Sequence, residues 1–252
     1  MATTTVSIIN QKGGTGKTTT TINLGRALSK LGKKVLLVDL DPQSNLSYSL
    51  GITEPKFTLA DAFTGSKKIK EILVNKEENF FVAPGSHELV DIEISLVTQE
   101  NRESFLKNIL ADVKGFDFIL IDCPPSLSVL TVNALNASQQ VLIPLQMEVL
   151  TLQGLNQILN TVKQVKTTLN PILKVKGIVI VMYDKRRKLS SEVEAFLQES
   201  VDEKIFLSKI RLNVKLAEAP SFGQSILDYD PASNGAQDYL AVAKEFLEIQ
   251  RK

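Results

Sequence analysis

Apolar residues in this chain gather into short unbroken runs that alternate with longer, periodic stretches. Val6-Ser7-Ile8-Ile9, Val35-Leu36-Leu37-Val38, Phe80-Phe81-Val82-Ala83, Phe118-Ile119-Leu120-Ile121, Gln140 to Leu145 and Val175 to Met182 read as buried strands. Ile22, Leu24, Ala27, Leu28 and Leu31 recur at helical spacing and predict a helix over Thr18 to Leu31, closed by Gly32. The same reasoning predicts helices at 148–168, from Leu189 through Val193, Phe196 and Leu197, and from Ala232 to Gln250. In the last of these, Leu240, Val242, Ala243, Phe246 and Leu247 share one face. Between 46 and 115 the pattern is weaker, with short helices at 58–63, 67–74, 88–98 and 102–113 around the strand at 80–83. Strands alternating with helices imply an α/β fold: a doubly wound, mostly parallel sheet with helices on both faces. No repeat or low-complexity tract breaks the pattern, so one domain covering 1–252 is expected.

The polar residues that end these strands carry the chemistry. After the first strand comes Gln11-Lys12-Gly13-Gly14-Thr15-Gly16-Lys17-Thr18-Thr19, leading into the first helix. Glycines there let backbone N–H groups turn inward around an anion, and the helix N-terminus adds partial positive charge. In such a phosphate-binding loop Lys17 reaches the terminal phosphates and the Thr18 hydroxyl ligates Mg²⁺. The second strand ends in Asp39-Leu40-Asp41. Two residues apart, these carboxylates leave one face of the strand, roughly 6–7 Å from each other. They either open on a site or, for Asp41 before Pro42, cap the next helix. Four apolar residues before Asp122 form a strand that brings its carboxylate to the metal, so Thr18, Asp122 and Asp39 are the candidate Mg²⁺ ligands. His87, just after the turn at Pro84-Gly85, reads as a surface or cap residue, and Cys123 as an inert core residue. In parallel sheets ligands bind beyond the carboxyl ends of the strands, where the loops at Lys12, Asp41, Asp122 and Asp184 can converge.

Lys12-Gly13-Gly14-Thr15-Gly16-Lys17-Thr18 lacks the first glycine of the usual pattern and carries a second lysine. It resembles the deviant Walker A loop of the ParA/MinD group of ATPases. Three further stretches resemble ParA-type partitioning ATPases: Val38-Asp-Leu-Asp-Pro-Gln-Ser-Asn45, Asp122-Cys-Pro-Pro125 and Asn213-Val-Lys-Leu-Ala-Glu-Ala-Pro-Ser-Phe-Gly223. The resemblance covers nearly the whole chain. It implies that ATP and Mg²⁺ bind along Lys12, Gly13, Gly14, Thr15, Gly16, Lys17, Thr18 and Thr19, with Met182, Arg211 and Pro220 on the base side. It implies catalytic roles for Lys12, Lys17 and Asp41, with Asp41 orienting the attacking water and Lys12 reaching the nucleotide of a second subunit in an ATP-dependent homodimer. It also implies non-specific binding of double-stranded DNA, through basic residues among Lys185, Arg186, Arg187 and Lys215, and a ParB-type partner that stimulates hydrolysis. The family's usual proline near the adenine is Arg211 here, so the base is held differently, for instance by stacking of the guanidinium.

Composition narrows the field. Lys plus Arg number 29 against 28 Asp plus Glu, so DNA contact requires a local patch and not a globally basic body. One Cys and one His exclude a disulfide framework, a Cys/His zinc site and a self-held iron–sulfur cluster. That counts against a metal-cluster carrier of the nitrogenase-reductase type. A MinD-type membrane cycle would need an amphipathic tail after the last helix, and the sequence ends Glu248-Ile249-Gln250-Arg251-Lys252. With no leader pattern at Met1-Ala2-Thr3-Thr4-Thr5 and no run of ~20 apolar residues, a cytoplasmic, nucleoid-associated protein without a membrane partner is expected. No helix-turn-helix fits before Lys12, so site-specific DNA reading is expected of the partner. Relatives that position flagella, chemotaxis arrays or microcompartments share these motifs, which leaves the cargo open.

Overall fold

The alternation of runs and periods becomes a seven-stranded sheet in the computed structural model, which describes residues 3–148, 151–184, 186, 197 and 201–251. The strands are β1 (Thr4–Ile8), β2 (Val35–Asp39), β3 (Val74–Glu77), β4 (Phe80–Ala83), β5 (Phe118–Asp122), β6 (Gln140–Gln146) and β7 (Lys174–Val181). Their order is β3-β4-β2-β5-β1-β6-β7, and every neighbouring pair is parallel except the edge pair β3 and β4. The described helices are α1 (Lys17–Lys30), α2 (Asn45–Ser49), α3 (Leu59–Thr64), α4 (Ile69–Ile72), α5 (Leu89–Leu96), α6 (Phe105–Ala111), α7 (Val129–Ala137) and α8 (Thr151–Thr168). After β7 come α9 (Lys215–Glu218), a 3₁₀ turn (Ala219–Phe222), α10 (Ile226–Tyr229) and α11 (Asn234–Arg251).

Unbroken apolar strands need cover on both faces, and the side-chain period of two divides them between two cores. Leu36, Val38, Ile119 and Ile121 join one core with Leu59, Leu89, Leu106, Leu130 and Ile158. Val35, Leu37, Phe118 and Leu120 join the other, with Leu24 and Leu28 of α1 and Tyr239 and Phe246 of α11. Helix α1 lies so close to the sheet that a Cβ at Gly25 would meet Leu37 Cδ2 at 2.6 Å.

This packing fixes where the loops meet. The chain leaves β1 toward β2 on one side, and later crosses from β5 over β1 to β6 on the other, which opens a crevice at the carboxyl ends of the central strands. The register pairs Ile8 with Asp122 and Asp39 with Asp122, so the Gly-rich loop and both carboxylates reach the same level. Beyond β7 an irregular segment runs alongside it. Phe206 N–H donates to Ile178 O at 2.9 Å, Ile210 N–H to Ile180 O at 2.8 Å, and Tyr183 N–H to Ile210 O at 2.9 Å. That pairing carries Arg211 to Asn213 up to the crevice.

Several expectations change in detail. The helix expected at 67–74 is only Ile69–Ile72, and the edge strand β3 begins at Val74. Its alternating Val-Asn-Lys-Glu is half solvated and gives no buried-strand signal. Helices α2, α7, α9 and α10 were not expected, being short or lacking a polar face to mark their period. The helix expected from Leu189, with Val193 and Phe196, lies outside the described residues; Leu197 alone is described, and it is buried in the first core. Among the described residues no helix is long and apolar enough to cross a membrane.

Candidate active site

The Gly-rich loop leaves β1 at Ile8 and enters α1 at Lys17. Gly14 and Gly16 both adopt φ of 75°, a left-handed backbone that other residues resist. A Cβ at Gly13 or Gly14 would meet no atom within 4 Å, so these glycines border open space and do not relieve crowding. Gly16 also caps α1 without any side-chain hydrogen bond, and no acidic residue sits in the first turn. The first N–H groups of α1 are therefore left for an anion.

Side chains that sequence reasoning did not single out brace the loop from behind. Asn10 Nδ2 donates to Pro144 O at 2.7 Å while its Oδ1 accepts from Lys12 N–H at 3.0 Å. Gln146 Nε2, at the end of β6, donates to Gly14 O at 2.9 Å. Nothing in the local pattern marks their bonds to Pro144 and Gly14, each of which spans more than a hundred positions.

Inside the loop the two lysines diverge. Lys17 is buried and its ammonium donates to Lys12 O at 3.3 Å. Burial pulls its pKa below the usual lysine range, against the opposing pull of the Asp122 and Asp41 carboxylates. Lys12 instead turns outward, half exposed, and pairs with Glu148.

Beneath the loop, Thr18 Oγ1 donates to Asp122 Oδ2 at 2.7 Å and Thr21 Oγ1 to Asp122 Oδ1 at 3.3 Å. Asp122 is fully buried, and burial with the nearby Asp39 carboxylate pushes its pKa up to about 8. Asp39, also fully buried, is pushed up to about 6, again chiefly by burial. Asp41 faces the cleft and accepts from Gln43 N–H at 2.9 Å. Clustered buried carboxyls beside one buried lysine hold on to their protons until a cation joins them, and Thr18 and Asp122 supply the hard oxygen donors that suit Mg²⁺.

The cleft over the loop, about 390 Å³, is lined by Gly13, Gly14, Gly16 to Thr19, Asp41, Pro125 and Met182, and by Gln43 and Asn45 just beyond Asp41; Lys12 and Thr15, also expected at the nucleotide, do not line it. It continues through Gly16, Thr19 and Met182 into an apolar cleft of about 170 Å³ walled by Val181, Ile210 to Asn213, Leu216 and Tyr239. Met182 and Arg211 line this second cleft as expected; Pro220 lies in the 3₁₀ turn and lines neither. The Arg211 guanidinium does not hang free to stack. Its Nε and Nη2 donate to Asp238, with Nη2 to Oδ1 at 2.6 Å, and its backbone N–H donates to Asp238 Oδ2 at 2.9 Å. Neither Asp39 nor Asp122 lines either cleft: both are fully buried, Asp39 turned toward Ser47 and Asp122 reached through Thr18. Cys123 is buried and its thiol pKa is raised by desolvation, which fits an inert core residue; His87 is exposed near the start of α5.

Of the expected DNA contacts, Arg186 is exposed and its guanidinium donates to both oxygens of Asp184, at 3.0 and 2.9 Å. Lys215 donates to Glu218 Oε2 at 2.8 Å. Lys185 and Arg187 lie outside the described residues.

A Gly-rich loop at the head of a helix, a threonine on a buried aspartate and a parallel sheet define a P-loop nucleotide hydrolase. Comparison with known proteins narrows the class. Residues 3–175 match the model of a family described as AAA domain. The chain is 46% identical to the chromosome-partitioning ATPase Soj of Treponema pallidum, over 96% of each chain. It is 42% identical to the chromosome partitioning protein ParA of Caulobacter vibrioides, over 98% of this chain and 94% of that one. A structure described as cobyrinic acid a,c-diamide synthase from Mycobacterium smegmatis, with bound ATP analogue and magnesium, superposes with a TM-score of 0.88. It is 33% identical and covers 100% of this chain and 97% of its own. The chain belongs to the Soj/ParA family; it is an ATPase whose cofactors are ATP and Mg²⁺.

Lys17→Ala is expected to weaken ATP binding by about 100-fold, since it deletes the buried cation that would meet the terminal phosphates. Equilibrium titration with a fluorescent ATP analogue measures this. A second expectation concerns pH. The Asp122 carboxyl pKa is raised in the folded state, so stability is lost as pH rises from the unfolded value, about 4, through about 8. Thermal melts of magnesium-free protein should show a falling midpoint over that window, and Asp122→Asn should flatten the slope.

Proposed function

We propose that the chain is an ATP-driven DNA-partitioning ATPase that works as a nucleotide-bound homodimer. The observation that carries this reading is the divergence of the two loop lysines. Lys17 points into the chain's own cleft, while Lys12 is half exposed and paired with Glu148. A lysine facing away from its own nucleotide is available to the nucleotide of a second subunit, where it would stabilise phosphoryl-transfer charge as an arginine finger does. Asp41 lines the same cleft and would orient the attacking water. Thr18 and Asp122 would hold Mg²⁺, which when bound neutralises charge on the phosphate oxygens. In the continuous apolar cleft the base would lie against Met182 and Leu212, with Arg211 fixed as a wall by Asp238.

The dimer would bind double-stranded DNA without sequence preference, and a ParB-type partner would stimulate hydrolysis and so release it. The protein would then be cytoplasmic and associated with the nucleoid. Arg186 and Lys215 are the described candidates for phosphate contact. Each is paired with a carboxylate of its own chain, but both side chains are solvated, and such pairs are easily exchanged for a phosphate. One subunit thus offers few phosphate contacts and two subunits offer twice as many, which couples DNA affinity to ATP through dimerisation.

With ATP, Asp41→Ala is expected to bind nucleotide and persist as a dimer that does not hydrolyse it, whereas Lys12→Ala should bind nucleotide and stay monomeric. Light scattering with a phosphate-release assay separates the two. Each neutralised phosphate contributes roughly −0.9 to the slope of log affinity against log salt, so the ATP-bound dimer should show about twice the slope of the monomer. Salt titration on unrelated duplexes checks this, and an Arg186→Ala/Lys215→Ala variant should lower the slope while leaving ATP-dependent dimerisation intact.

A further inference from the structure

Asp39 is buried and two residues from Asp41, and like Asp122 it lines neither nucleotide cleft; but where Asp122 is bonded to the cleft residue Thr18, Asp39 is bonded to Ser47. Its Oδ2 accepts two hydrogen bonds from one residue, Ser47 N–H at 2.8 Å and Ser47 Oγ at 2.6 Å. Ser47 is the third residue of α2, the helix that starts four residues after Asp41. Its N–H is one of the donors that a helix N-cap normally satisfies. Here the N-cap residue does not do so. Ser44 sits at φ 52° with no capping bond, and its hydroxyl is buried without a partner among the described residues. A five-residue helix is too short to hold itself. Its start is therefore capped from a distance, by a carboxylate at the end of β2.

The same hydroxyl ties in a third segment. Ser47 Oγ accepts from Gly85 N–H at 3.1 Å, at the turn that follows β4. Gly85 packs onto Asp39 so closely that a Cβ there would lie 2.7 Å from Asp39 O and 3.0 Å from its Cγ. Serine and glycine backbone thus close over one side of the Asp39 carboxylate. The stretch from Asp41 to Ser44 is braced at both ends: Leu40 N–H donates to Asp122 O at 3.1 Å before it, and the Asp39–Ser47 bonds hold the chain after it.

We infer that Asp39 is a positioning residue and not a metal ligand: through Ser47 it fixes the turn that presents Asp41 to the nucleotide. The inference rests on the reading of Asp41 as the group that orients water. It assigns Ser47 and Gly85 to the same task, and neither is marked by the phosphate-loop chemistry.

The test compares Ser47→Ala, Asp39→Ala, Asp39→Asn and Asp41→Ala in single-turnover ATP hydrolysis, nucleotide affinity and Mg²⁺ half-saturation. Misplacing a catalytic group by about 1 Å can cost about 100-fold, so Ser47→Ala and Asp39→Ala should slow hydrolysis by about 10- to 100-fold, with affinity and Mg²⁺ half-saturation within about twofold of wild type. Asp39→Asn keeps an oxygen that accepts from Ser47 and should recover most of that loss. A merely structural role would lower affinity together with rate, and would overturn the inference. So would wild-type hydrolysis in Ser47→Ala, or a raised Mg²⁺ requirement in Asp39→Asn, which would make Asp39 a metal ligand. If Asp39→Ala does not fold, Ser47→Ala, which removes one oxygen atom, decides the matter. Normal hydrolysis in Asp41→Ala would instead refute the reading of Asp41, and is recognised separately.

Discussion

Everything at the site depends on one carboxylate in the middle of the sheet. Asp122 has no contact with solvent and is held by the hydroxyls of Thr18 and Thr21, both on α1. Those two bonds fix the first turn of α1 over the carboxyl end of β5, and with it the Gly-rich loop that enters the helix. They do not neutralise the charge. With Asp39 and Asp41 close by and Lys17 as the buried cation among them, the interior cannot hold every carboxylate ionised, and the Asp122 pKa moves up to about 8. A divalent cation bound with the nucleotide would supply the missing positive charge.

The fold sets that charge in place through topology. The chain leaves β1 in one direction and arrives at β6 from the other, so the carboxyl ends of β1, β2 and β5 border a crevice. The parallel register then brings Asp39 and Asp122 level with the loop. Apolar runs covered on both faces keep these strands rigid, and the polar residues at their ends inherit that rigidity. The base side is made differently, by an irregular segment hydrogen-bonded along β7. Its wall, Arg211, is held by Asp238 of α11.

The geometry of the candidate site is legible in the sequence where it is local. Lys12 to Thr18 act through backbone geometry and a helix start, both encoded within a few residues, and Asp41 and Asp122 mark themselves by ending apolar runs. What escaped was long-range. Asn10, Gln146 and Glu148 brace or pair the loop across the sheet, and Asp238 reaches Arg211 from the last helix; spacing along the chain carries no trace of such contacts. Asp39 is read toward the metal in the sequence for a related reason. The period of two put it on the face of Asp41, and only the three-dimensional fold turns its carboxylate toward Ser47. The strands were read closely, since buried runs announce themselves. The edge strand β3 was missed because half of it faces water, and α2 because its cap comes from Asp39 and not from its own N-cap residue.

The most direct test of this electrostatic account is the number of protons released when Mg²⁺–ATP binds. Calorimetry at pH 7 in buffers of differing ionisation enthalpy measures it. If the buried carboxylates wait for a cation, binding to the wild-type protein releases protons, and Asp122→Asn releases measurably fewer. Binding of normal affinity with no proton release in the wild type would contradict the account, since the carboxylates would already be charged and compensated in the empty site.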